Sequence, residues 1–328
     1  MTSERDSAVT VGYLTEPQDH RDELLQDVRH GFTAYSKYLP SKYFYDAAGS
    51  KLFEQITELP EYYLTRAETE ILADHAEGLM ARLLPDELVE LGSGSSRKTR
   101  MLIEAMYRAG PGRRYVPIDI SEDALRTAAG ELSSSYDWLE IEGLMGDYVA
   151  DLDKVRRRGR RLIVFLGSTI GNYNPTLRYS LLRSVTAALD PGDSFLLGVD
   201  LVKDEATMIA AYDDAAGVSA EFNLNILRVV NRELDGDIPL DAFEHVTRFD
   251  RTFSCMSQSL RATREVVANI RALDLAVTVH EGEEIHTEVS CKFTREQVNH
   301  DFAAAGMRVD EWLTDSQDRF ALVLGSHA

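Results

Sequence analysis

Cysteine is nearly missing from this chain: Cys255 and Cys291 are the only two among 328 residues. So small a number offers no cysteine metal cluster and suits thiols kept reduced in a cytoplasm. Histidine supplies no substitute, because the eight present show no H-x-x-x-H pair or comparable ligand spacing, and no metal is expected. Positive charge is scarce as well. Lys and Arg total 35 against 55 Asp and Glu, a formal charge of −20. Such a chain repels polyanions, which argues against nucleic acid and anionic membrane surfaces as partners. The one basic run, residues 156–161 (RRRGRR), reads as a solvated loop ahead of a strand. No apolar run is long enough to span a bilayer, and the first residues, MTSERD, lack a hydrophobic signal core. Low-complexity segments are absent too. With 44% apolar residues the chain is expected to fold throughout, as one large domain or two ordinary ones.

What is present begins at residues 88–96 (LVELGSGSS), a short apolar strand running into a glycine-rich turn. A helix carrying Met101, Leu102, Ala105 and Met106 on its apolar face follows. Asp119 then ends the next apolar stretch, 115–118. Glycines at such a turn let the backbone approach a ligand, and an acid at the end of the second strand can accept from two ribose hydroxyls. A dinucleotide site would favour G-x-G-x-x-G, but Arg97 stands at the third glycine position, and no G-x-x-x-x-G-K-[ST] loop occurs. Glu90-Leu91-Gly92-Ser93-Gly94 instead resembles the E/D-x-G-x-G loop of class I S-adenosylmethionine-dependent methyltransferases. Asp147 and Tyr148, which end a third strand-like run at 139–145, agree with that resemblance, which implies an acid and an aromatic at the adenine.

The rest of the chain divides by rhythm. Residues 1–20 are polar and expected to be loose. From 21 to about 63 the chain is helical or irregular and rich in aromatics, and βα units follow. Ser121 is placed to cap a helix running to about Ser134, with Glu122 and Asp123 in its first turn. Residues 162–166 (LIVFL) read as a buried parallel strand, Pro175 opens a helix, and 194–199 is a further buried strand. After Asp200 come helices at 205–212 and 220–231, then strand-like segments at 243–249, 253–261 and 266–279 that suggest an antiparallel insert. Thr294 and Gln297 form a capping box, and Gly306 ends the helix they start. Two strands close the chain. The expectation is an α/β class I methyltransferase Rossmann-like sheet over 67–202 and 293–328. A second, α+β substrate-binding domain would combine 21–66 with 203–292.

Eight strings carry a more specific resemblance: 42–46 (KYFYD), 52–57 (LFEQIT), 59–63 (LPEYY), 90–94 (ELGSG), 165–172 (FLGSTIGN), 200–204 (DLVKD), 211–214 (AYDD) and 287–293 (TEVSCKF). Together they resemble the bacterial histidine Nα-methyltransferases of ergothioneine biosynthesis over nearly the whole length. The resemblance implies S-adenosylmethionine as cofactor, contacted by Tyr45, Gly92, Lys98, Asp119, Asp147 and Tyr148. Asp119 would hold the ribose diol, Asp147 with Tyr148 the adenine, and Tyr45 with Lys98 would lie near the methionine moiety. A lysine at a helix start opposes the helix dipole, which itself hints at a job for Lys98. The resemblance also implies a small amino-acid substrate. Asn172 and Tyr212 would hold its carboxylate, Tyr62 its amine, and Glu288 with Ser290 the two ring nitrogens. The last two are spaced i, i+2, which places them on one face of a strand. One departure stands out: where the family has a Met-Trp pair shortly before Leu-Arg-Ala, this chain has Gln258-Ser259 before Leu260-Arg261-Ala262. Gln258 would make the ring wall more polar.

The implied reaction is Nα-trimethylation of L-histidine to hercynine by a cytoplasmic monomer. Three alternatives compete with it. The same reaction on tryptophan or tyrosine is disfavoured by Glu288 and Ser290, which suit a ring with two polar nitrogens. A non-catalytic nucleoside-binding module is disfavoured by the joint presence of cofactor and amino-acid residues, and a dinucleotide oxidoreductase by Arg97.

Overall fold

The computed structural model describes residues 9–14, 20–94, 96–120, 122–146 and 148–328. Its strands in chain order are β1 (Val9–Tyr13), β2 (Glu87–Leu91), β3 (Arg114–Asp119), β4 (Glu140–Met145), β5 (Arg161–Phe165), β6 (Ser194–Asp200), β7 (Phe243–Asp250), β8 (Cys255–Ala262), β9 (Val266–Ile270), β10 (Leu275–Val279), β11 (Glu284–Cys291), β12 (Met307–Thr314) and β13 (Phe320–His327). They fall into two compact units. The first holds the described residues of Met1–Pro17 with Leu64–Leu201 and Phe293–Ala328. The second holds those of Gln18–Tyr63 with Val202–Lys292.

The first unit is built on one sheet of order β1-β4-β3-β2-β5-β6-β13-β12. Strands β1 to β6 run parallel, and β13 lies antiparallel between β6 and β12. Every residue of β2, β5 and β6 is buried, as two-sided coverage by helices requires. The core under them joins Val89, Leu91, Val116, Ile163, Phe165 and Phe195 to Val298 and Phe302 of the helix Arg295–Ala305. That helix starts at the expected capping box and ends at Gly306 in the left-handed region. The chain runs from β2 outward through β3 and β4, then crosses back to β5 on the other side of β2. The switch point therefore lies at the carboxyl ends of β2 and β5, where an open α/β sheet binds ligands. This is the class I Rossmann-like arrangement.

Two details of this unit differ from expectation, and a third concerns a residue outside the described ones. Val9–Tyr13 adds an edge strand to β4 within a segment that reads as polar and loose; five residues, none of them fully buried, are too few to announce a strand. Ser121, the expected helix cap, lies outside the described residues, and the helix itself spans Glu122–Ser135. The basic run is the expected exposed loop ahead of β5 through Arg156, Arg158 and Arg160, but its last residue is not part of that loop. Arg161 is buried on β5 with its Nε 2.6 Å from Glu87, and Arg157 pairs with Asp193 and Asp190. The acids that neutralise it are distant in sequence, so the run looks unpaired when read alone.

The second unit packs the helices His20–Thr33, Ala47–Glu58, Glu205–Tyr212 and Val218–Leu234 with a three-stranded antiparallel sheet of order β11-β8-β7 and a β9-β10 hairpin. The stretch read as one strand over 266–279 is that hairpin. It reverses through Arg271–Leu273 and a left-handed Asp274, a turn with neither glycine nor proline to mark it. Cys255 and Cys291 lie directly opposite each other across β8 and β11 and are joined in a disulfide, where two reduced thiols were expected. Strand register, which sequence spacing does not display, brings them together. Among the described residues no helix is long and apolar enough to cross a membrane.

Candidate functional site

In the first unit the candidate residues gather at the switch point. Gly92 leaves β2 at φ +65°, and its N–H donates to the Ile118 carbonyl at 2.8 Å, so the loop rises beside the end of β3. A Cβ on Gly92 would need that left-handed backbone and would sit 3.7 Å from the Tyr148 hydroxyl. The Gly94 N–H donates to Asp119 Oδ2 at 3.0 Å, which ties the loop to the acid that ends β3. Ser93 is buried, and its Oγ finds no partner among the described residues. A buried hydroxyl left over between two glycines fits a loop shaped around a polar ligand. Tyr148 packs edge-on against Phe165, 5.6 Å between ring centroids, and shares a 2.8 Å hydrogen bond with the Tyr173 hydroxyl. Asp147 lies outside the described residues.

Glu90 braces the loop from below. It is buried and accepts from the Thr99 and Tyr115 hydroxyls. Burial raises its carboxyl from the ordinary 4.5 to about 7, against the pull of those two hydrogen bonds. A folded-state pKa above the unfolded one adds stability that is complete below pH 4.5 and is lost as pH rises through about 7. The loss across that window is about 3 kcal/mol. Glu90→Gln is expected to flatten the pH profile of the urea midpoint between those values. A profile as steep as that of the unsubstituted protein would assign the slope to other groups.

Lys98 precedes the helix Thr99–Ala109, and its ammonium pairs with Glu68, a fully buried acid on the helix Tyr63–Leu83. Glu68 also accepts the Gly167 N–H at 2.8 Å, holding the turn that leaves β5. Its carboxylate reaches so close to β6 that a Cβ on Gly198 would lie 2.3 Å from it. Sequence reasoning missed Glu68, although a signal exists: it falls on the apolar stripe of Leu64, Ala67, Ile71 and Leu72, where an acid needs a reason. Asn172 ends the short turn Thr169–Asn172 that follows.

The second unit supplies the other candidates. Tyr45, Phe53, Tyr62 and Tyr212 form a run of edge-on rings, with centroid spacings of 5.5, 6.2 and 6.4 Å. Tyr62 and Tyr212 are buried, whereas Tyr45 is exposed at its end. Tyr212 Oη lies 2.8 Å from Ser290 Oγ. Glu288 stands directly across from Gln258 of β8, and Ser290 from Met256. A bulge between His286 and Glu288 produces this register. Glu284 and His286 share one face with Ser257 and Ser259; after the bulge Glu288 and Ser290 share the other with Met256 and Gln258. The Thr287 hydroxyl pins the extra residue by donating to the Gln258 carbonyl at 3.1 Å. Gln258 is 4% exposed, and its Oε1 has no partner among the described residues. Sequence reasoning also missed Lys292, which continues the inward polar row of Glu288 and Ser290 and is fully buried. Among the described residues no cluster of three His, Cys, Asp or Glu is arranged to hold a metal ion.

The glycine loop tied to an acid at a switch point, and the polar row on β11, coincide with similarity to known proteins. A family model described as histidine-specific, S-adenosylmethionine-dependent methyltransferase matches residues 24–327. The chain belongs to this family. It is 50% identical to the histidine N-alpha-methyltransferase of Mycolicibacterium smegmatis over 303 residues, 92% of this chain and 94% of that one. The protein of the same name from Mycobacterium tuberculosis is 46% identical over 316 residues, 96% of this chain and 98% of that one. Ergothioneine biosynthesis protein 1 of Neurospora crassa is 32% identical over 289 residues, 84% of this chain but 32% of the longer fungal protein. Each family string therefore sits in a definite place: ELGSG forms the loop after β2, FLGSTIGN the turn after β5, and TEVSCKF the bulged end of β11.

Proposed function

We propose that the protein transfers three methyl groups from S-adenosylmethionine to the α-amino nitrogen of L-histidine, giving hercynine, an early step of ergothioneine biosynthesis. The observation that carries the substrate is the inner face of β11 and β8. It sets a carboxylate (Glu288), a hydroxyl (Ser290) and an unsatisfied amide oxygen (Gln258) side by side on buried strands. A ring with two polar nitrogens matches that set, because each nitrogen then finds a partner. Tyr212 and Asn172 are the donors assigned to the carboxylate. On the cofactor side, Asp119 is assigned the ribose diol, and Tyr148 with Asp147 the adenine. Lys98 and Tyr45 are assigned the methionine moiety, and Gly92 the close backbone approach.

The cofactor, when bound, supplies an activated methyl group on a sulfonium, so the protein's own task is alignment and exclusion of water. The substrate amine needs an exposed lone pair. With a reference α-amino pKa near 8, neutral amine is a sizeable minority at neutral pH, and a strong dedicated base is unnecessary. Tyr62, buried and edge-on to Tyr212, is assigned to steer the amine between transfers. Each added methyl removes one N–H, so its hydroxyl must hold a nitrogen whose donors are vanishing. Tyr62→Phe is expected to lower kcat about tenfold, the cost of roughly one hydrogen bond, with cofactor affinity unchanged. Unchanged turnover would remove this role.

The deciding experiment is mass spectrometry of the protein incubated with S-adenosylmethionine and each free amino acid in turn. A gain of about 42 Da on histidine alone, three CH2 increments, supports the proposal. A gain on tryptophan or tyrosine would keep the reaction and reassign the ring wall at Gln258. No gain on any amino acid would favour a binding module without catalysis.

A further inference from the structure

We propose that Lys292 is a positioning residue for the substrate carboxylate, acting through Tyr212; this rests on the amino-acid reading above. Lys292 follows β11 and is fully buried. Its Nζ lies 2.8 Å from Tyr212 Oη and 3.0 Å from Ser290 Oγ, and those two oxygens are 2.8 Å from each other. The ammonium also sits 4.5 Å from the centre of the Tyr212 ring.

Hydrogen-bond arithmetic gives this triangle a direction. An ammonium has donors and no lone pair, so it donates to both oxygens. Of the two hydroxyl hydrogens, one spans the gap between Tyr212 and Ser290, and only one is left for a ligand. A carboxylate can only accept, so when it is bound the remaining hydrogen belongs to Tyr212. Ser290 then donates to Tyr212 and offers the ligand a lone pair. Lys292 thereby fixes two roles at once: Tyr212 as donor to an anion, and Ser290 as acceptor for the second N–H of an imidazolium ring whose first N–H goes to the Glu288 carboxylate. A cation behind the phenol also strengthens its donation, the more so where water is excluded. Neither Tyr212 nor Ser290 does this alone, since each hydroxyl rotates to suit its neighbours.

The test is competition between L-histidine and L-histidinamide, which has a neutral carboxamide in place of the carboxylate, in one reaction followed by mass spectrometry. The unsubstituted protein is expected to prefer histidine strongly. Lys292→Met should reduce that preference at least tenfold while the dissociation constant for S-adenosylmethionine stays within twofold. Lys292→Arg should restore most of it. If the methionine variant does not fold, as judged by circular dichroism, Lys292→Gln keeps a donor in place without the charge and should show the same loss. A purely structural role would slow both substrates equally and leave the preference intact, and that result overturns the proposal. So does an unsubstituted protein that shows no preference between the two. Failure of the unsubstituted protein to methylate either compound would instead overturn the amino-acid reading itself.

Discussion

Asp119→Ala is expected to weaken S-adenosylmethionine binding about hundredfold or more, measured by isothermal titration calorimetry. The carboxylate ends β3 beside the glycine loop and already accepts the Gly94 N–H at 3.0 Å. Two ribose hydroxyls donating to it would make charge-assisted hydrogen bonds worth about 1.5–3 kcal/mol each. Losing both corresponds to two to four decades in affinity. Alanine also releases the Gly94 amide, so the loop that brings the backbone to the ligand loses its tie. Asp119→Asn should fall between, because one carboxamide oxygen can still accept. A change below about fivefold for the alanine variant would place the ribose elsewhere.

Glu288→Ala is expected to lower kcat/KM for histidine by about a hundredfold, with cofactor affinity within twofold. Glu288 is 9% exposed, so an imidazole N–H facing the gap left by alanine has little water to replace its partner. A lost hydrogen bond to a charged group, added to the cost of an unpaired buried donor, comes to about 3 kcal/mol, which sets that factor. The loss should appear mostly in KM, since the ring is held alike in ground and transition states. Steady-state kinetics with calorimetry of the cofactor as control decides it. A variant with unchanged KM for histidine would detach the ring from β11.

Much of this was legible in the residues because the signals were local. The ELGSG turn lies between a strand and a helix, and the acid one strand later is tied to it in space. The capping box at Thr294 and the stop at Gly306 appear where side-chain chemistry demands them. What escaped depends on partners distant in the chain. The hydrogen bond from the Gly167 N–H to Glu68 joins residues 99 apart. The disulfide depends on register between β8 and β11, and the buried Arg161 on Glu87 of a neighbouring strand. The β9–β10 turn escaped for another reason: Asp274 adopts a left-handed conformation that glycine usually announces.

The bulge at Thr287 has a consequence for how this strand can change. Counted by twos, Glu284, His286, Glu288 and Ser290 would all point one way. The extra residue shifts the phase, so one strand carries two polar rows on opposite faces. The rows are then free to vary separately, since substitutions at Glu284 or His286 need not disturb Glu288 or Ser290. Length is constrained unevenly. Removing Thr287 would leave every later side chain on its present face, because the residue is surplus to the pairing. Removing one residue between Glu288 and Lys292 would turn part of the ligand-facing row outward. Natural variation in length along β11 should therefore concentrate at the bulge.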